Sequence, residues 1–92
     1  MADINQLSFA ILKAIRDHEV RNGEDLFRVL SDDPYIISIK DTDPELVSET
    51  QMVLESLIST GCIDGTVGPS YTKDRTPYYI YGITQSGLDL LT

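Results

Sequence analysis

Histidine and cysteine each occur once in this chain, and no lysine or arginine stands between Lys40 and Lys73. Each scarcity excludes something. Cys62 has no partner for an internal disulfide, and its place beside Ile63 after a helical stretch marks it as a small buried hydrophobe. With His18 and Cys62 alone, no glycine-rich phosphate loop, no metal-ligand cluster and no nucleophile motif, the chain is expected to be no enzyme and to need no cofactor. His18 falls one turn beyond Ala14 and Ile15 at the end of a helical stretch, where a protonated imidazole would favour the helix C-terminal dipole. Asp41, Asp43 and Glu45 alternate as in a calcium loop, but the twelfth position, which needs a bidentate glutamate, falls on Met52. No metal is expected. Nor is there a run of about 18 apolar residues or a basic-then-apolar start, so a soluble cytoplasmic protein without membrane contact is expected.

What is present is acid. Fifteen acidic residues against seven basic ones leave a formal charge of −8 over 92 residues. Such a balance repels phosphate backbones and anionic membranes over about a Debye length, ~8 Å at physiological salt. Nonspecific affinity for DNA is expected to be poor, although a local basic patch can outweigh the total. The residues that could build one are Lys13, Arg16, Arg21, Arg28, Lys40, Lys73 and Arg75. Ninety-two residues suffice for one modest core, so a single domain over 1–92 is expected, and a homodimer would bury further apolar surface.

From Ile4 to about Val20, Leu7, Ile11, Ala14 and Ile15 recur at spacings of three and four, with Phe9 and Leu12 widening the stripe. This predicts a first helix. Asn22-Gly23 breaks it, and Glu24 and Asp25 then place negative charge at the start of a second, roughly Glu24 to Leu30. Asp33-Pro34 ends that segment. Tyr35 to Ile39 is β-branched and aromatic, which predicts a short strand or, failing that, a buried loop.

A third helix has two candidate starts. Ser48 with Gln51 fits a capping box, and Val47 with Met52 the hydrophobic staple around it; Asp43-Pro44 competes one turn earlier. Val53, Leu54, Leu57 and Ile58 form its inward stripe, and Gly61 its C-terminal cap. The opposite face holds Glu49, Met52, Glu55, Ser56 and Ser59, without a cation. Beyond it, Cys62 to Val67 and Tyr78 to Ile83 read as the strands of a hairpin whose long loop, Gly68 to Pro77, carries Lys73 and Arg75 at its tip. Thr84 can cap a final short helix, with Gly87 near its start for close backbone approach.

The run Val53-Leu54-Glu55-Ser56-Leu57-Ile58-Ser59-Thr60-Gly61-Cys62-Ile63, a hairpin, and then Ile83-Thr84-Gln85-Ser86-Gly87-Leu88-Asp89-Leu90-Leu91 are similar to winged helix-turn-helix domains. In that fold the third helix is followed by glycine and an apolar pair, and the wing by an apolar-Thr-x-x-Gly-x-x-x-Leu closure. With Leu7 to Ile15 in front, the whole resembles the small YjcQ-like winged-helix proteins of bacteria and their phages, whose function is not established. The resemblance implies an α+β fold: a single winged helix-turn-helix domain of three helices, a β-hairpin wing and a short C-terminal helix.

Winged helices that bind DNA are expected to place Arg, Lys, Asn or Gln on the outer face of the third helix and cations in the wing, since phosphate neutralisation supplies most of the affinity. Here only Gln51, Lys73 and Arg75 answer. The expectation that follows is a noncatalytic interaction or regulatory module, in which Glu49, Met52, Glu55, Ser56 and Ser59 meet a basic protein partner. The alternative is a dimeric DNA-binding regulator touching duplex DNA through Lys73 and Arg75, helped by Lys13, Arg16 and Arg21. Tyr71, Tyr78, Tyr79 and Tyr81 are expected mainly as sheet residues, with one or two rings left for recognition.

Overall fold

The computed structural model describes residues 3–68 and 78–92. Five helices and one antiparallel hairpin follow in the order α1 (Ile4–Asp17), α2 (Gly23–Leu30), α3 (Pro34–Ile39), α4 (Leu46–Ser59), β1 (Ile63–Val67), β2 (Tyr78–Ile83) and α5 (Gln85–Leu90). The class is α+β. Lys73, Arg75 and Tyr71 lie outside the described residues.

Helix α1 is the centre of the fold, because its apolar surface is wider than one stripe. Leu7, Ala10, Ile11, Leu12, Ala14 and Ile15 are all buried, and the helix touches α2, α3, α4, β2 and α5. Asp3 starts it by accepting from the N–H groups of Asn5 and Gln6 at 2.9 and 3.2 Å. It stops at Asp17, with His18 in extended backbone, earlier than the expected end near Val20; Val20 still reaches the core from the loop. Asn22 then caps α2, its side-chain oxygen accepting from Asp25 N–H at 2.8 Å.

The expected strand over Tyr35 to Ile39 is a helix instead. Asp33 caps it by accepting from Tyr35 and Ile36 N–H at 2.9 and 3.3 Å, and Pro34 occupies the first turn, where its missing N–H costs nothing. The same Asp-Pro pair that ends α2 therefore begins α3. β-branched content describes a pleated environment rather than a backbone preference, and buried Ile36, with Tyr35 and Ile39 partly buried beside it, seats this short helix on the core. Tyr35 adds a tether, its hydroxyl accepting from Asp3 N–H at 2.7 Å.

Helix α4 takes the earlier of its two starts. Its first residue is Leu46, and Asp43 Oδ1 accepts from Glu45 N–H at 3.1 Å, so Ser48 lies inside the first turn and builds no capping box. Val47 and Met52 do not staple anything either, being 57% and 68% exposed. The inward stripe stands as expected in Val53, Leu54 and Leu57, with Ile58 partly buried and Thr50 added to it. Gly61 ends the helix at φ 81°, a left-handed conformation that glycine adopts without strain.

Strands β1 and β2 match their expected spans closely. Pairing runs from Ile63 opposite Ile83 to Val67 opposite Tyr78, with a bulge after Asp64 that leaves Tyr81 as the extra residue. A third, minimal contact extends this sheet: Asn22 bridges Tyr79, and Ile80 N–H donates to the Arg21 carbonyl at 2.9 Å. Helix α5 is capped by Thr84, whose hydroxyl oxygen accepts from Gly87 N–H at 3.2 Å while the hydroxyl donates to the Gly61 carbonyl at 2.6 Å. A Cβ on Gly87 would collide with the Cys62 carbonyl oxygen, so glycine there is a condition of this packing.

Candidate functional site

The face of α4 turned away from α1 divides in two. Met52, Ser56 and Ser59 are exposed, whereas Glu49 and Glu55 are half-buried along its flanks. The helix repeat explains part of this, since Ser48, Met52, Ser56 and Ser59 follow at steps of four and three on the side opposite Val53, Leu54 and Leu57. Neighbours explain the rest. Tyr78, buried at the start of β2, donates its hydroxyl to Glu55 Oε1 at 3.0 Å, so this carboxylate serves the packing of the hairpin as well as the surface. The structure thus brings Glu49, Met52, Glu55, Ser56 and Ser59 together on one helix, with a neutral line at the centre and the carboxylates at its edges.

On β2, Tyr79 and Tyr81 are 50% and 69% exposed, while Tyr78 and Ile80 turn inward. Alternation along β2 therefore leaves two rings on the solvent side, the number the sequence allowed for. Cys62 is buried, with the Thr60 hydroxyl 3.6 Å from its sulfur. Among the described residues no group of three His, Cys, Asp or Glu side chains could hold a metal ion, and no helix is long and apolar enough to cross a membrane.

Among the described residues, the three arginines are each engaged by a carboxylate. Arg16 pairs with Asp17 at 2.7 Å, Arg28 with Asp25 at 3.4 Å, and Arg21 with Glu19. The bidentate hydrogen bond from Arg16 holds the Asp17 carboxyl below its ordinary range, with the charges of Arg16, His18 and Lys13 adding to the effect, and the same bond raises the Arg16 guanidinium further. Lys13, His18 and Arg28 share an open cleft of about 400 Å³ with Asp17, Asp32 and Asp33. The mixed signs along that cleft cancel at short range, so it presents no phosphate-attracting patch.

Two features escaped sequence reading. One is the bridge from Asn22 to Tyr79, a single-residue contact with no periodicity to announce it. The other is the Tyr78–Glu55 hydrogen bond, which joins residues 23 apart.

Comparison of the chain with models of protein families, with curated proteins and with solved structures gives no match. The class defined by the coordinates is accordingly a small α+β fold with five helices and an antiparallel hairpin among its described residues.

Proposed function

We propose that this chain is a noncatalytic winged-helix module that binds a basic protein partner through the exposed face of α4. One observation carries the reading: Met52, 68% exposed, stands at the centre of a helix face that has no cation and two carboxylates at its edges. A polarizable, unbranched side chain adapts to apolar partner surfaces, and Glu49 and Glu55 favour cations around it. The order of helices, the hairpin after α4 and the bridge from Asn22 to Tyr79 support the winged-helix arrangement.

DNA binding through the same helix is disfavoured by physics rather than by fold. Affinity for duplex DNA comes largely from neutralising phosphates, and α4 carries nothing to neutralise them. Arg16, Arg21 and Arg28 already face carboxylates. The test is a titration of random duplex DNA at several salt concentrations, together with the Lys73→Ala/Arg75→Ala variant. No binding at micromolar protein is expected. Micromolar binding that weakens steeply with salt and disappears in the variant would establish the DNA-binding alternative and sink this proposal. In parallel, Glu49→Gln/Glu55→Gln is expected to keep the fold and to weaken recovery of a basic partner.

A further inference from the structure

Asn22 and Gly23 stand where α2 begins beside β2. Asn22 caps the helix, its Oδ1 accepting from Asp25 N–H at 2.8 Å and its carbonyl from Leu26 N–H at 3.1 Å. The same residue bridges Tyr79, and next to it the Arg21 carbonyl accepts from Ile80 N–H at 2.9 Å. Gly23 is buried, and a Cβ there would lie 3.1 Å from Tyr78 Cδ2. Asn22 itself is exposed, so water reaches its amide.

An asparagine followed by glycine is open to attack by the next backbone nitrogen, because no Cβ shields that nitrogen and the glycine backbone turns freely. The Gly23 nitrogen, deprotonated, bonds to Asn22 Cγ; the Cγ–Nδ2 bond breaks and ammonia leaves with the proton the peptide gave up, closing a five-membered succinimide. Water, the one co-reactant, then opens either carbonyl of that ring. One opening leaves aspartate in the ordinary main chain. The other leaves isoaspartate, whose main chain runs through the former side chain and is one carbon longer.

The folded chain holds this reaction back. At ψ 178° the Asn22 Cβ and the Gly23 nitrogen are staggered about the Cα–C bond, whereas the ring needs them nearly eclipsed. The cap to Asp25 holds the amide, and the contacts of Asn22 with Tyr79 and of Arg21 with Ile80 hold the backbone. We propose that Asn22 is a site of spontaneous deamidation, gated by local opening of the start of α2 from β2. An aspartate product keeps the acceptor for Asp25 N–H and places negative charge where the helix favours it. Isoaspartate lengthens the chain between the Tyr79 bridge and the first turn of α2, so that cap and bridge no longer form together.

The test incubates the whole chain at mildly alkaline pH over a urea series that runs from below to above its unfolding transition. Conversion is read by peptide mass mapping and by isoaspartate methyltransferase labelling. It is expected at Asn22 and not at Asn5, the other asparagine, which Gln6 follows inside α1. The native rate should be at least about tenfold below the unfolded one and should rise with urea before circular dichroism reports unfolding. Tyr78→Leu, which stays apolar but lifts the ring from Gly23, should speed conversion several-fold in the folded chain; if that variant does not fold, the urea series decides. The isoaspartate product should lose amide-exchange protection at Ile80. Equal rates in native and unfolded chain, or a rate that follows only the global transition, would overturn the gate. Conversion at Asn5 equal to that at Asn22 in the unfolded chain would overturn the site, and retained protection at Ile80 its structural consequence. Asp64-Gly65 can close the same ring by losing water and reopen without change of mass, so mapping keeps the two sites apart.

Discussion

Glu55 is both a packing residue and a surface charge, and the two roles separate under substitution. Tyr78 is 3% exposed and its hydroxyl donates to Glu55 Oε1 at 3.0 Å. Glu55→Ala removes this acceptor from the Tyr78 hydroxyl. Losing a part-buried hydrogen bond of this kind costs about 0.5–1.5 kcal/mol, and the charged acceptor places it at the upper end, about 1.5 kcal/mol. For a domain of this size that corresponds to a fall in Tm of about 6–12 °C. Glu55→Gln retains an acceptor oxygen in the same place and forfeits only the charge assistance, about 0.5 kcal/mol. Tyr78→Phe removes the donor and should cost about 1 kcal/mol, after which Glu55→Ala should add little. Urea unfolding followed by far-UV circular dichroism reads all four corners of this cycle, with the m-value unchanged if the denatured state is unaffected. Equal destabilisation by Glu55→Gln and Glu55→Ala, or additivity within about 0.3 kcal/mol, would refute the assignment. The cycle also bears on function. If Glu55→Gln stays folded, any loss of partner binding it produces is a loss of charge.

Three other outcomes follow from the same coordinates. Gly87→Ala, which in an open helix would be stabilising, should cost about 2–3 kcal/mol because the new Cβ meets the Cys62 backbone carbonyl and Ile83 Cγ1; Gly82→Ala, with nothing near its Cβ, should stay within about 0.5 kcal/mol, and thermal unfolding distinguishes them. Asp33→Ala deletes the cap of α3 and should cost about 1 kcal/mol, with amide exchange rising at Tyr35 and Ile36; unchanged exchange there would show that α3 does not depend on its cap. The Asp17 carboxyl has its folded pKa lowered by Arg16, so its contribution is present above the ordinary aspartate range and fades as pH falls through the lowered folded value. Asp17→Asn should therefore lower stability slightly at neutral pH and converge with the parent protein at low pH, flattening the acid limb, and both effects should be small because the pair is exposed.

Local signals in the sequence carried the elements whose ends are made by their own residues. The strands of the hairpin were legible from alternation and aromatic content, the turn after α4 from Gly61, and the last helix from Thr84. The core stripes of α1 and α4 were legible for the same reason, since burial repeats with the helix period. Misreadings arose where two local signals competed. At Asp33-Pro34 a stop and a start share the same residues, and at the head of α4 a serine box lost to a turn held by Asp43.

By itself, then, the sequence determined an acidic chain of helices and one hairpin, in which the third expected helix, α4 of the structure, lacks any cation. Periodicity and composition are sufficient for that, because they act through neighbours a few positions apart. Only the tertiary structure tied Glu55 of α4 to Tyr78, joined Asn22 to Tyr79, and opened an apolar groove between α2, α3 and α4. Those features depend on contacts between residues tens of positions apart, whose geometry is set by how helices pack around α1 rather than by any local pattern.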